Sequence, residues 1–102
     1  MKRHVLSLSA AALRDLERLQ DFLRESSDPL EADLLDFVAD ALDVLTHQPG
    51  IGRPLRGGQR ELIIGRGASG YLAQYRLDSA RNVVLVLRIR HQRESGYPPE
   101  QL

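Results

Sequence analysis

The chain has 102 residues, no cysteine, and fourteen basic residues balancing fourteen acidic ones. One domain spanning residues 1–102 fits that length and a second does not. The lack of cysteine excludes a disulfide framework and a thiolate metal site, and no apolar run matches a signal peptide or a membrane span, so a cytoplasmic address is expected.

In chain order, residues 3–8 read as a short first strand. Ser9 is a natural N-cap for a helix that starts at Ala10, and Ala12, Leu16, Leu19 and Leu23 recur at helical spacing along one face. Asp15, Arg18 and Glu25 sit off that stripe, and the helix ends near Ser26-Ser27. Asp28-Pro29 restarts a helix, with Asp as cap and Pro in the first turn. Leu35, Val38, Leu42 and Leu45 form its apolar stripe, and it must stop before Pro49-Gly50. Two helices of about 17 residues joined by a tight turn form an antiparallel hairpin whose stripes need a common surface.

The second half supplies that surface. Residues 49–59 are irregular, and residues 60–64 are β-prone. Tyr71 to Leu77 alternates, with Tyr71, Ala73, Tyr75 and Leu77 on one face. Residues 78–82 form a hairpin loop. Val83 to Ile89 is strongly apolar and β-branched, as suits a central strand. Its odd positions lead in phase to His91, while Arg88 and Arg90 follow Val84 and Val86. The order β-α-α-β-β-β implies an α+β fold, with a helix hairpin on one face of a small, largely antiparallel sheet. The tail, residues 95–102, has no periodicity and reads as extended.

Charge divides the same way as structure. Residues 1–48 hold five basic and ten acidic side chains, a net of −5, and residues 49–102 hold nine arginines and four acids, a net of +5. The arginines Arg53, Arg56, Arg60, Arg76, Arg88, Arg90 and Arg93, with His91, are the candidate contact residues for an anionic partner. The plainer reading is a solvated face neutralised by the acidic helices. Gly65-Arg66-Gly67-Ala68-Ser69-Gly70 spells a dinucleotide-binding fingerprint, but it lies between two strands with no helix behind it, so it reads as a hairpin loop. His4, His47 and His91 fall on separate elements, so no metal site is expected, and nothing in the chain calls for a cofactor.

Four stretches then combine. Leu45-Thr46-His47-Gln48-Pro49-Gly50-Ile51-Gly52-Arg53-Pro54 resembles the L-x-x-x-P-x-x-G-R-P junction after the second helix of RelE/ParE toxins. Arg60-Glu61-Leu62 is similar to their second-strand R-x-L, and Tyr71 to Leu77 to a third strand that ends in Y-R. Leu87 to Glu94 resembles a closing strand that ends in H-x-R. The resemblance covers nearly the whole chain, in order. It implies the toxin half of a type II toxin–antitoxin pair, with a ParD-like or similar antitoxin as partner. It further implies growth arrest, a plasmid-stabilisation role, and contact with operator DNA only through the antitoxin.

Members of that superfamily differ in target. RelE-like members cut messenger RNA on the ribosome, whereas ParE-like members poison DNA gyrase and have no known nuclease activity, so that branch implies no catalytic residues. Ribonuclease members often carry a glutamate just after the junction, where this chain has Leu55-Arg56. They commonly place an arginine where this chain has Leu72, and an aromatic residue where it has Gln92. These departures favour the ParE branch. The alternative is a ribosome-dependent endoribonuclease using His91 with Arg60, Arg76 or Arg93. A further alternative is a non-toxic binding module that acts as co-repressor with its antitoxin.

Overall fold

The computed structural model describes residues 3–65 and 69–99. Strand β1 (Val5–Leu8) leads through Ser9 into helix α1 (Ala10–Glu25). The Ser9 hydroxyl accepts from the Ala12 amide, as an N-cap should. Ala12, Leu16, Leu19 and Leu23 are all buried.

The second helix departs from expectation. It is a 3₁₀ turn (Pro29–Ala32), a nine-residue helix α2 (Leu34–Leu42) and a second 3₁₀ turn (Asp43–Thr46). Asp33 breaks it, with φ −110° and ψ 0°. Leu34, four residues before Val38 on the same helical row, is fully buried while Leu35 is 49% exposed, and the working stripe is Leu34, Val38, Leu42 and Leu45.

The sheet has five strands in the order β1-β5-β4-β3-β2, one more than expected. The addition is β2 (Arg53–Pro54), a two-residue strand inside the irregular stretch, paired antiparallel with β3 (Arg60–Ile64). Strands β4 (Tyr71–Asp78) and β5 (Val83–His91) form the long antiparallel pair. Only β1 runs parallel to its neighbour, β5. The apolar β5 is an interior strand, as its composition required. Both helices lie on one face, over a core of Ile64, Tyr71, Ala73, Tyr75, Val84, Val86 and Ile89. Each of the larger buried aliphatic side chains contributes about 1.5–3 kcal/mol.

The facing of β5 also differs from its simple alternation. Gln74 opposes Arg88 and Tyr75 opposes Val86, so Leu87 is the extra residue of a bulge. Val84 and Val86 face the helices before it, and Ile89 does so after it. Leu77, expected on the core face, is 41% exposed at the end of the strand. The hairpin at 78–82 turns with Asn82 at φ 56°. Of the Gly-rich loop, Arg66, Gly67 and Ala68 lie outside the described residues, as do tail residues 100–102.

Candidate functional site

Strand β1 pairs with β5 only as far as Val86. Beyond it, the outer edge of β5 is open, and unpaired backbone groups there would be costly. Helix α1 meets them with side chains. The Ser9 hydroxyl donates to Leu87 O at 2.8 Å, Asp15 Oδ2 accepts from the Ile89 amide at 2.9 Å, and Arg18 donates to Ile89 O at 3.3 Å. Glu94 Oε1 accepts from the His91 amide at 2.9 Å.

Asp15 is the hub of this edge. Expected off the apolar stripe, it is 3% exposed. It receives Arg88 through two bonds, Nε to Oδ2 at 2.8 Å and a terminal nitrogen to Oδ1 at 3.0 Å. A charge this deep is tolerable only because it is paired and fully hydrogen-bonded. Its spacing carried a signal: Asp15 lies three residues after Ala12 and four before Leu19, on the flank of the stripe.

The junction between α2 and the sheet is locked in the same manner. The buried Tyr75 hydroxyl donates to Pro49 O at 2.7 Å and accepts from the Gly52 amide at 2.9 Å. Burial pushes the Tyr75 hydroxyl pKa up, which keeps it a neutral donor. Arg60 donates to Gly50 O at 3.1 Å and Gly52 O at 2.8 Å. A Cβ built on Gly52 would fall 2.6 Å from the Tyr75 hydroxyl and 2.9 Å from Glu61 O, so only glycine fits. The G-R-P junction and the R-x-L strand are thus two halves of one lock.

The face of the sheet away from the helices carries most of the remaining candidates. Arg53 pairs with the buried Glu61 at 2.5 Å. Arg88 and Arg90 lie under the returning tail. Arg88 donates to Pro98 O at 2.6 Å, and Arg90 to Glu94 O at 2.6 Å and His91 O at 3.3 Å. The Tyr97 ring sits against both guanidiniums, at 5.3 Å from Arg88 and 5.4 Å from Arg90, within cation–π range. Burial, reinforced by the nearby Glu61 carboxylate and only partly offset by the Arg90 cation, pushes the Tyr97 hydroxyl up to about 12. Neither Tyr97 nor Glu61 is among the candidates drawn from the sequence, because the tail has no periodicity to betray its docking.

His91 follows Arg90 as the last residue of β5, opposite Tyr71. Its ring meets Tyr71 edge-on at 5.1 Å, and its Nδ1 accepts from the Arg93 amide at 3.0 Å. Arg76 lies five residues along β4 from Tyr71, about 17 Å away by strand rise. Arg60 is spent on the junction. Arg56, Arg76 and Arg93 are exposed, with no ion pair among the described residues. The eight candidates therefore do not form one cluster. Among the described residues there is also no group of three metal-ligating side chains, and no helix is long and apolar enough to cross a membrane.

A helix hairpin on one face of an open, mostly antiparallel sheet is the fold of RelE/ParE toxins. A chain of the chromosomal ParDE TA system from P. aeruginosa is similar with a TM-score of 0.73 and 21% identity, over 89% of this chain and 98% of that one. The RelBE2 toxin–antitoxin complex of Mycobacterium tuberculosis gives a TM-score of 0.56 and 27% identity, over 87% and 98%. Toxin RelE3 of Caulobacter vibrioides is 30% identical over 89 residues, 87% of this chain and 95% of its own length. The model of the ParE toxin of type II toxin–antitoxin systems, parDE, matches residues 6–96, and the chain belongs to that family. It is the toxin component of a type II toxin–antitoxin system.

Proposed function

We propose that this chain is a ParE-type toxin that arrests growth by inhibiting DNA gyrase and is neutralised by a cognate antitoxin. The observation that carries the reading is that Arg60 and Arg76, two of the three cations a nuclease could set beside His91, lie well along the sheet from it. Cutting a phosphodiester requires a base beside the attacking hydroxyl and cations at the developing charge. Here His91 is held by Arg93 and Tyr71, Arg60 by two junction carbonyls, and Arg88 by Asp15. Arg76 is remote from His91, on the far half of β4.

Contact residues in this reading are the exposed Arg53, Arg56, Arg76 and Arg93, together with Arg90 and its neighbours His91 and Arg88 at the tail. The test is a DNA-damage reporter read after the chain is induced without antitoxin in a bacterial host. Reporter induction together with growth arrest is the expected result. Growth arrest with a silent reporter and cleaved messenger RNA would favour the second reading, a ribosome-dependent ribonuclease. That reading draws on the likeness to Toxin RelE3, and it predicts that His91→Ala abolishes toxicity. Harmless overexpression would leave the co-repressor role.

A further inference from the structure

Among the described residues two acids are buried, and the scaffold accounts for one of them. Asp15 accepts from Arg88, Arg18 and the Ile89 amide, so its burial closes an edge of the sheet. Glu61 is 7% exposed, yet the bond it accepts comes from Arg53, a side chain that is itself 70% exposed. Burying a carboxylate behind one solvent-facing partner is costly, and a well-packed apolar side chain of similar size would be no less stable there. The sheet register shows where the charge acts. It sets Arg53, Glu61, Gln74 and Arg88 in one row across four strands. Neighbouring strands lie about 4.8 Å apart, so Glu61 stands within about 10 Å of both arginines of the row. Gln74, between Glu61 and Arg88, donates its amide to Gln59.

We propose that Glu61 is a charge filter on the face of the sheet away from the helices, a specificity-determining residue that pairs off Arg53 and so keeps a phosphate backbone from settling there. This rests on the gyrase reading for the target the chain keeps, and it names the residue that excludes a competing one, single-stranded RNA. The excluded partner follows from the chemistry around the filter. Guanidiniums grip phosphate oxygens through paired bonds, and Arg53, Arg88 and Arg90 would offer three of them. In this chain each is committed: Arg53 to Glu61, Arg88 to Asp15, and Arg90 to the carbonyls of His91 and Glu94. Arg53 is far more exposed than Arg88, at 70% against 19%. It is also paired with an acid that closes no edge of the sheet, so it is the cation that a single substitution releases.

The experiment measures binding of the purified full chain to a fluorescent single-stranded oligoribonucleotide by anisotropy, over a series of salt concentrations. Glu61→Gln keeps the shape of the side chain and removes its charge. It should tighten binding about five- to tenfold at low salt and steepen the salt dependence by about one counterion. Glu61→Leu, which asks for no hydrogen bond at a buried position, should tighten it as well. Both variants should melt within about 5 °C of the wild type, which separates a change of charge from a loss of fold. Arg53→Gln should change wild-type affinity less than about twofold, because that cation is already cancelled, yet undo most of the gain in Glu61→Gln. Unchanged affinity in both Glu61 variants would overturn the inference. So would an Arg53→Gln loss as large in the wild type as in Glu61→Gln, since Arg53 would then grip RNA without any release. The DNA-damage reporter is read on the unaltered chain, so the gyrase reading and the charge filter can fail independently.

Discussion

The junction at residues 49–60 and the tail at 94–99 both return to the sheet, yet they do so in opposite ways. At the junction the Tyr75 hydroxyl and Arg60 are each used more than once on main-chain groups, and Gly52 leaves no spare volume. At the tail, Arg90 Nε and the Tyr97 hydroxyl are buried and idle. A saturated contact rigidifies, whereas an unsaturated one is poised for exchange. The junction is fully bonded scaffold and the tail is a looser contact, even though both pack against arginines.

The largest effect should come from the scaffold hub. Asp15→Ala leaves Arg88 buried without its carboxylate and the Ile89 amide without its acceptor, at about 3–5 kcal/mol; urea unfolding reads the loss. Gly52→Ala drives a methyl into Tyr75 and should cost about 3 kcal/mol from overpacking and the bond it displaces. That appears as a melting point lower by roughly 10–20 °C for a domain of this size. Tyr75→Phe leaves the Gly52 amide and Pro49 carbonyl without their shared partner and should cost about 1–3 kcal/mol.

The smallest global effect belongs to the tail at 94–99. Because Tyr97 is raised to about 12 in the folded chain, against about 10 unfolded, its contribution is complete below about pH 10. It is lost as pH climbs towards about 12. Alkaline titration followed by tyrosine absorbance should show late ionisation of the tyrosines, and the part of it that Tyr97→Phe removes should coincide with faster proteolysis of the tail. A tail that stays protected through that transition would put it on the same footing as the junction and erase the contrast.

Much of the fold is legible in the sequence, for physical reasons. Ser9 and the stripe from Ala12 to Leu23 are local signals, and β5 advertises its interior place by its β-branched run. The parts that escape a sequence reading depend on long-range or half-turn events. Asp15 reads as a surface acid until Arg88, 73 residues later, folds beside it. Spacings of three and four both fit a helical stripe, so Leu34 and Leu35 compete for it, and one bulge at Leu87 turns Ile89 to the core. The candidate arginines are identifiable as a set, but not their division into those spent on scaffold (Arg60, Arg88) and those left accessible (Arg56, Arg76, Arg93). That division follows from which carbonyls and carboxylates the fold brings near, and residue type alone cannot encode it.

The measurement that bears most directly on the proposed activity is supercoiling by purified DNA gyrase in the presence of the purified chain. Dose-dependent inhibition or trapping of cleaved DNA, with no cutting of messenger RNA on ribosomes, is the expected result. Full gyrase activity at saturating toxin, with His91-dependent cutting of messenger RNA on ribosomes, would contradict it.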